Sequence, residues 1–207
     1  METLVYTVEQ LKKSEVEALI KKRINEFSDI KHGSINDIFK ELCFCIMTAN
    51  CGAEKCIEIH EKINDFLNLS QPQLAEKFQD LGYRFPNVRS KFIVEAREKI
   101  KTLNEIIKLN GNEIELREWL VKNIKGIGYK EGSHFLRNIG YKNLAIIDFH
   151  ILDLLTQHEL IKKPKNLTKD VYLEIENILK SIAEELNLNL AELDLYLWYL
   201  ETGKILK

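Results

Sequence analysis

The sequence predicts an all-α protein, and three observations lead to this fold class. Apolar residues recur at intervals of three and four along most of the 207-residue chain, which is the spacing of amphipathic helices. Only three prolines and nine glycines interrupt the pattern, and residues typical of helix N-caps precede several apolar segments. A chain of this length can bury a core as one domain or as two small lobes.

The first half of the chain contains helices of different character. Residues 8–27 combine an apolar stripe with lysines on the other faces, which predicts one amphipathic helix. Ser34 is the predicted N-cap of a helix over 35–49, and this helix is so apolar that it should run through a core. Spacing and turn residues, with a cap at Ser70, further predict helices over 53–66, 73–81 and 87–109.

The second half continues the pattern. Helices are expected over 113–124, 149–155 and 169–186, and another short helix should follow the glycines after residue 124. The last helix, 190–200, is apolar nearly all round. It should therefore be buried or line a cavity.

Two glycines separate the pair of short helices in the middle of the chain. Gly126 and Gly128 flank Ile127 and permit a tight turn with uncovered backbone N–H groups, directly before the next helix. Such amides and the positive end of the helix dipole favour an anion. Lys125, Gly126, Ile127 and Gly128 are therefore a candidate phosphate-binding hairpin, and an ordinary interhelical turn is the alternative.

Two ionisable residues follow this turn. Lys130 lies in the first turn of the second helix, where the helix dipole opposes a positive charge, so it is poorly suited to stabilising that helix. Asp148 ends an apolar run and precedes the helix over 149–155, which places a carboxylate at the rim of a buried segment. The simpler interpretation of Asp148 is an N-cap alone.

Together these residues resemble the helix-hairpin-helix superfamily of base-excision DNA glycosylases. The signature is Lys125-Gly-Ile-Gly-Tyr-Lys130, with an aspartate eighteen residues later in Ile146-Ile-Asp148-Phe-His150. Within this superfamily the chain resembles the small archaeal and thermophilic-bacterial 8-oxoguanine DNA glycosylase/lyase group. Further matches, which extend the resemblance over nearly the whole chain, lie at 41–50, 81–85, 194–200 and the chain end at Lys207.

The resemblance implies both an architecture and an activity. One helical lobe would comprise 1–34 plus 141–207, and the other 35–140, with the helix-hairpin-helix (about 113–140) at the edge of the cleft between them. The enzyme would flip 8-oxoguanine out of double-stranded DNA, excise it through a Schiff base on Lys130 with the help of Asp148, and cleave the abasic strand by β-elimination. No metal or other cofactor is implied, and a monomer is expected.

Further roles also come from the resemblance. Asn50 would fill the gap in the duplex while Arg84 and Phe85 probe the lesion from a loop. Trp198 would stack on the base, and Lys207 with its terminal carboxylate would help to recognise it. From spacing alone, Asn50 could be a cap or turn residue, and the rings of Phe85 and Trp198 could belong to the core.

The net charge limits how this chain could bind DNA. The formal charge of −2 and the pI near 6.3 give no global basic signal, so a nucleic-acid contact needs a local basic face. The best candidate is the basic group around the hairpin: Lys122, Lys125, Lys130, His134, Arg137 and Lys142.

The N-terminus lacks an apolar leader and no apolar run approaches about 18 residues, so neither secretion nor membrane insertion is predicted and a cytoplasmic protein is expected.

Four cysteines between positions 43 and 56 invite a metal interpretation. The spacing contains no Cys-x-x-Cys pair, and a helix would point Cys43 and Cys45 about 160° apart. Buried free thiols are therefore predicted. Some members of the resembled superfamily hold an iron–sulfur cluster on four cysteines near the C-terminus. No cysteine follows Cys56 in this sequence, so no cluster is expected. His150, only two residues after Asp148, is expected in the core or behind the site rather than as a catalytic partner.

Three other functions share some of these features. A non-catalytic helix-hairpin-helix DNA-binding module would share the glycine turn but would not explain Lys130 together with Asp148. A glycosylase of the same fold and chemistry could act on oxidised pyrimidines, although the lack of C-terminal cysteines and the Trp198 and Lys207 ending disfavour it. A helical interaction protein that does not bind DNA is compatible with the mild acidity.

Overall fold

The computed structural model describes residues 2–109 and 112–207, and within these ranges the chain forms twelve α-helices and no β-strand. The predicted all-α class is confirmed. In order the helices are α1 (Glu2–Lys12), α2 (Val16–Lys31), α3 (Ile35–Thr48), α4 (Ala53–Lys62), α5 (Gln71–Asp80), α6 (Pro86–Arg97), α7 (Ile100–Leu109), α8 (Glu113–Asn123), α9 (Tyr129–Asn138), α10 (Phe149–Gln157), α11 (Lys169–Glu185) and α12 (Leu190–Thr202).

Local side-chain contacts explain where several helices begin. The Ser34 hydroxyl accepts a hydrogen bond from the Asp37 N–H at 3.2 Å, and the Asp37 carboxylate accepts one from the Ser34 N–H at 2.8 Å. Ser70 and Gln73 form the same reciprocal pair at the start of α5. These contacts satisfy N–H groups that have no partner within the helix. The predicted caps at Ser34 and Ser70 are confirmed.

Two of the predicted helices are each two helices in the structure. Residues 8–27 fall in α1 and α2, because the Ser14 hydroxyl donates to the Leu11 carbonyl and accepts from the Val16 N–H, which favours a turn. Residues 87–109 fall in α6 and α7, because the N–H groups of Glu98 and Lys99 bond to carbonyls three residues back and tighten the chain. Apolar spacing continues across both breaks and could not locate them.

Buried apolar side chains in the described ranges form two clusters. The first surrounds α3 and draws its other members mainly from α4 to α9, and the second is built from α1, α2, α10, α11 and α12. The segment 144–147 passes between them, since Leu144 belongs to the first cluster whereas Ala145 and Ile147 belong to the second. The lobe boundaries near 34 and 141 stay a prediction, and the predicted ranges include residues 1, 110 and 111, which lie outside the described residues.

Two polar side chains of α11 hold this crossing segment. Glu176 accepts a hydrogen bond from the Ala145 N–H at 2.9 Å. The Tyr172 hydroxyl donates to the Ala145 carbonyl at 2.7 Å and accepts from the Ile147 N–H at 3.3 Å. Because buried backbone groups need such partners, α11 fixes the path of the segment that ends at Asp148.

A buried ion pair ties α8 to the same point on α11. The Arg117 guanidinium is 0% exposed and donates to the two Glu176 carboxylate oxygens at 2.6 and 2.8 Å and to the Ser133 hydroxyl at 3.1 Å. A charge buried this completely is tolerated only with a partner. Glu176 therefore both neutralises Arg117 and holds Ala145.

We expect Glu176→Ala to lower the free energy of unfolding by about 3 kcal/mol or more, because it leaves Arg117 buried without its counter-charge. Chemical denaturation measures this change. Glu174→Ala removes an exposed glutamate from the same helix and should change the free energy by less than about 0.5 kcal/mol. Equal stability of the Glu176→Ala variant and the unaltered protein would contradict this role of the ion pair.

Candidate active site

A cavity of about 560 Å³ lies where α9, the start of α10, α12 and the chain terminus meet the end of α3. This volume lies within the range of small-molecule sites, about 300–1,000 Å³. Phe85 and the hairpin residues 125–128 do not line the cavity. The predicted site residues that do line it are Asn50, Arg84, Lys130, Asp148, Trp198 and Lys207.

One face of α9 forms a wall of this cavity. Lys130, His134 and Arg137 lie at positions i, i+4 and i+7, so they share a face of the helix, and all three line the cavity. The Lys130 side chain is 24% exposed, and its Nζ lies 3.7 Å from the Glu131 Oε1. The amine is thus partly covered by protein while it remains at the cavity surface.

Glu131 organises the turn that precedes Lys130. Its Oε2 accepts a hydrogen bond from the Gly128 N–H at 3.2 Å, which caps the start of α9. The Ile127 N–H donates to the Ile124 carbonyl at 3.3 Å, so these two hairpin amides already have partners. The first N–H groups of α9 have no acceptor within the helix. Phosphate binding by the hairpin stays a prediction, and these N–H groups are the donors that it would use.

Gly126 is required by the geometry of the hairpin. Its φ is +83°, in the left-handed region that side chains disfavour. A Cβ here would lie 2.7 Å from the Phe92 Cδ2 and 2.9 Å from the Arg89 Nη1. Arg89 also donates to the Ala49 carbonyl at 2.9 Å. The close approach at Gly126 therefore seats the hairpin against α6, and Arg89 links both to the end of α3.

Asp148 reaches the cavity at the start of α10. Its Oδ1 accepts a hydrogen bond from the Ile151 N–H at 3.0 Å, so its interpretation as an N-cap is confirmed. The same side chain lines the cavity with Lys130. Capping fixes the orientation of the carboxylate and does not compete with a second role at the cavity.

Trp198 and His150 form an aromatic wall of the same cavity. Their ring centroids are 4.9 Å apart at an interplanar angle of 84°, and the His150 ring also lies 3.9 Å from the ring of Phe149. Trp198 and His150 are half-buried and line the cavity. Of the two places expected for His150, the core is excluded because the residue is half-buried at the cavity, and a supporting role behind the site, in contact with Trp198, stays a prediction.

The chain terminus folds back onto the first cluster. The Lys207 Nζ lies 2.5 Å from the Glu41 Oε1, 3.3 Å from the His60 Nδ1 and 4.8 Å from the centroid of the Phe44 ring. Burial, together with the positive charges of Lys207 and Lys40, lowers the pKa of His60 to about 3, so its neutral ring can accept a hydrogen bond. The ammonium of Lys207 is therefore paired inside the protein.

The residues predicted to fill the gap in the duplex and probe the lesion differ in solvent exposure. Asn50 is exposed, lines the cavity and has a left-handed φ of 61° at the end of α3. Arg84 is also exposed at the cavity, whereas the half-buried Phe85 ring packs on the first cluster. The Arg84 guanidinium lies 5.0 Å from the centroid of that ring. The loop thus presents the guanidinium, supported by Phe85, rather than a projecting ring.

Two residues that line the cavity, Arg137 and Asp194, form an ion pair that no sequence pattern had indicated. The Arg137 Nη1 lies 2.6 Å from the Asp194 Oδ2, and Asp194 stands one helical turn before Trp198. Burial raises the pKa of Asp194 to about 6, against the lowering effect of Arg137. The signal that could have found Arg137 and Asp194 is their helical spacing from Lys130 and Trp198.

The predicted basic DNA face is therefore only partly correct. His134 and Arg137 are 7% and 5% exposed, so they belong to the interior and cannot contribute to an outer surface. Burial and the positive charges of Arg137 and Lys130 also hold the pKa of His134 well below its usual range. Lys122, Lys125 and Lys142 remain exposed, and Lys125 pairs with Glu95 at 2.9 Å.

The cysteines are free thiols in the structure. Cys43, Cys45 and Cys56 are buried as predicted, whereas Cys51 is half-buried and lines the cavity. Burial raises the pKa of Cys43 and Cys45 well above the usual thiol range. In the ranges that the structure describes, no group of three or more His, Cys, Asp or Glu side chains could hold a metal ion. The expected lack of an iron–sulfur cluster stays a prediction.

The sequence of this chain matches a known protein family over most of its length. The sequence model of a family described as 8-oxoguanine DNA glycosylase matches residues 20–188. The chain belongs to this family. A similar protein, the 8-oxoguanine DNA glycosylase/AP lyase of Methanocaldococcus jannaschii, is 53% identical over 206 residues, which are 99% of each chain. That of Korarchaeum cryptofilum is 51% identical over 209 residues, covering 100% of this chain and 99% of the relative.

Solved structures of family members have the same fold. The crystal structure of the M. jannaschii glycosylase/lyase in complex with a 15mer DNA containing 8-oxoguanine is 52% identical, with a TM-score of 0.96 over 99% of this chain and 100% of that one. The 8-oxoguanine DNA glycosylase of Thermotoga maritima is 42% identical, with a TM-score of 0.93 over 100% and 99% of the two chains.

None of the helices within 2–109 and 112–207 is both long and apolar enough to cross a membrane.

We expect Gly126→Ala to lower the free energy of unfolding by about 1–3 kcal/mol, because the new Cβ would clash with Phe92 and Arg89 and the backbone φ disfavours a side chain. Chemical denaturation provides the measurement. Gly52→Ala is the matched control, since no atom lies within 4 Å of its Cβ position. If both variants were equally stable, the close approach at Gly126 would not constrain the hairpin.

Proposed function

We propose that this protein excises 8-oxoguanine from duplex DNA and cleaves the resulting abasic strand. The observation that carries the proposal is the meeting of Lys130, Asp148 and Trp198 in the wall of one cavity, in a member of the 8-oxoguanine DNA glycosylase family. A reactive amine, a carboxylate and an aromatic ring are the groups that excision of an extruded base requires.

Duplex DNA would dock through the hairpin and the exposed lysines beside it. The first N–H groups of α9 would bind a backbone phosphate, with Lys122, Lys125 and Lys142 supplying sequence-independent attraction. The damaged nucleotide would rotate into the cavity. Asn50 and the Arg84-Phe85 loop would occupy the space that it leaves in the duplex, which lowers the energy of the extruded state.

The chemistry would begin when the uncharged Lys130 amine attacks C1′ of the extruded nucleotide. A bond forms between Nζ and C1′, and the bond from C1′ to the base breaks with its electron pair leaving on the base, which then takes up a proton. Loss of a proton from the amine and opening of the sugar ring give a Schiff base. Removal of a C2′ proton then expels the 3′ phosphate by β-elimination.

Asp148 would serve this reaction electrostatically. A carboxylate fixed at the cavity favours the positive charge that develops on the sugar as the base departs. It is also a group through which protons can pass between the amine, the sugar and the base. Its hydrogen bond to the Ile151 N–H holds it in place before substrate binds, so little reorganisation is needed during the reaction.

Base recognition would combine stacking with one chemical distinction. Trp198 offers a planar surface for the extruded base. 8-Oxoguanine carries a proton on N7 that guanine lacks, and the main-chain oxygen of Lys207 can only accept hydrogen bonds. Aimed at N7, it would attract the damaged base and repel the acceptor at N7 of guanine.

All these residues come from one chain, so the reaction requires no second subunit. We therefore propose a monomer that works in the cytoplasm on double-stranded DNA.

Lysine Schiff-base chemistry also needs neither a metal nor an iron–sulfur cluster. The lobe division at residues 34 and 141 is part of the same proposal, because it puts the cavity between the two halves.

The protein should cleave a duplex that contains 8-oxoguanine and form a covalent adduct with it in the presence of borohydride, which reduces the Schiff base. The measurement uses end-labelled duplexes with 8-oxoguanine, thymine glycol, uracil or no lesion. Binding of every duplex without cleavage would instead favour the DNA-binding module. Cleavage at thymine glycol alone would favour action on oxidised pyrimidines, and the absence of salt-dependent DNA binding would favour a helical interaction protein.

The Lys130→Gln variant tests the nucleophile in the same assay. It should form no adduct but still bind the 8-oxoguanine duplex, since the amine is lost and the cavity keeps its shape. Lys101→Gln removes an exposed lysine of α7 that lies outside the proposed DNA-binding group, and this control should still form the adduct. Robust trapping by the Lys130→Gln variant would overturn the assigned role.

Asp148→Asn should slow excision by about 100-fold or more while changing the free energy of unfolding by less than about 1 kcal/mol. Asparagine caps a helix as well as aspartate does, so this substitution separates the charge from the cap. Single-turnover kinetics and chemical denaturation provide the two measurements. Unchanged excision by a stable Asp148→Asn variant would reduce Asp148 to a capping residue.

A further inference from the structure

The last residues of the chain form a terminal segment, 203–207, that lies against the cavity. Gly203 has a φ of +68° and ends α12, which allows the chain to turn back beneath the cavity. Leu206 and Lys207 then line it. A chain end is mobile unless contacts hold it, so the position of this wall depends on what binds the terminal segment.

Glu41 of α3 is the principal contact. It is 4% exposed and does not line the cavity, but its Oε1 lies 2.5 Å from the Lys207 Nζ. The neighbouring His60 Nδ1 is 3.3 Å from the same ammonium. The end of the side chain is thus held by Glu41 and His60, so the main chain of Lys207 stays within one side-chain length of this anchor.

Glu41 also connects this contact to the rest of the site. Its Oε2 accepts a hydrogen bond from the Asn138 Nδ2 at 3.1 Å. The Asn138 Oδ1 accepts from the Arg137 Nε and Nη2 at 3.2 and 3.1 Å, and Arg137 pairs with Asp194. One buried network therefore joins the chain terminus to α3, α9 and α12, the helices that carry the cavity.

We propose that Glu41 is a positioning residue for base recognition, which acts by holding the main chain of Lys207 at the cavity wall. This inference rests on the proposed function and deepens it. Without the ion pair the terminal segment would lose the contact of Lys207 with Glu41, and the main-chain oxygen of Lys207 would no longer occupy one position. A hydrogen bond that depends on that position would weaken, whereas Lys130 and Asp148 would stay in place.

A second ion pair on the terminal segment provides a contrast. Lys204 pairs with Glu54, but both side chains are more than half exposed. Exposed ion pairs contribute little to holding two side chains together. The position of the terminal segment should therefore depend on Glu41 and hardly at all on Glu54.

The Glu41→Gln variant tests the proposal, because it removes the charge and keeps the shape. Single-turnover rates would be measured for base excision from 8-oxoguanine and guanine duplexes, and for strand cleavage at a preformed abasic site, which needs no base recognition. We expect excision of 8-oxoguanine, and its ratio to excision of guanine, to fall by about tenfold, the equivalent of one lost hydrogen bond. Cleavage at the abasic site should change by less than about twofold. Glu54→Gln is the matched control and should leave all three rates unchanged.

Several outcomes would overturn the proposal. If Glu41→Gln lowered abasic-site cleavage as much as 8-oxoguanine excision, Glu41 would have a general structural role. An unchanged excision ratio would show that the terminal segment needs no anchor. If the unaltered protein cleaved abasic sites but excised no 8-oxoguanine, the proposed function itself would fail, which is a distinguishable result.

Two further variants keep the test decisive. In a chain that lacks Lys207, Glu41→Gln should cause no additional loss of excision, because a residue that acts only through Lys207 has nothing left to position. An additional loss would contradict the proposal. If the Glu41→Gln variant does not fold, Lys207→Met can replace it, because this substitution removes the other member of the ion pair. We expect Lys207→Met to lower the ratio of 8-oxoguanine to guanine excision by about tenfold. An unchanged ratio would overturn the proposal.

Discussion

The ion pair between Arg137 and Asp194 is the interaction on which the geometry of the cavity depends. It joins α9 to α12 at 2.6 Å, with both side chains almost fully buried. Lys130 lies about two turns before Arg137 on α9, and Trp198 lies one turn after Asp194 on α12. Because the pair fixes these helices relative to each other, it also fixes the amine relative to the aromatic wall. A charge buried this deeply destabilises the fold unless an opposite charge pairs with it. Packings of α9 and α12 that separate Arg137 from Asp194 are therefore disfavoured.

The same physical requirement explains how the carboxylate reaches the cavity. The segment 144–147 crosses between the two apolar clusters, and its backbone must be hydrogen-bonded there. Glu176 and Tyr172 supply those bonds, and the segment then ends at Asp148. Buried polar contacts thus position both groups of the proposed chemistry. Substitutions in this supporting layer should therefore alter function without touching a reacting atom.

Features encoded by neighbouring residues could be predicted from the sequence. The caps at Ser34, Ser70 and Asp148 depend on side chains within three residues of the helix start, so local composition identifies them. The helix breaks at Ser14 and Glu98 were missed, because the apolar spacing runs through both. Local hydrogen bonds, rather than periodicity, end those helices.

Features that depend on burial or on distant contacts could not be predicted in this way. The basic interval beside the hairpin predicts a DNA-facing surface that includes His134 and Arg137, whereas both are interior residues of α9. The contact between Glu41 and Lys207 joins residues that are 166 positions apart in the sequence. No local pattern predicts such a pair. The placement of the candidate site residues around one cavity likewise required the three-dimensional structure.

The central claim is that the Lys130 amine forms the covalent bond to the DNA sugar. The most direct measurement is to trap the protein on an 8-oxoguanine duplex with borohydride, digest the adduct and locate the modified residue by tandem mass spectrometry. We expect a reduced sugar adduct on Lys130. An adduct on another amine, such as that of Lys125 or Lys207 or the chain N-terminus, would contradict it.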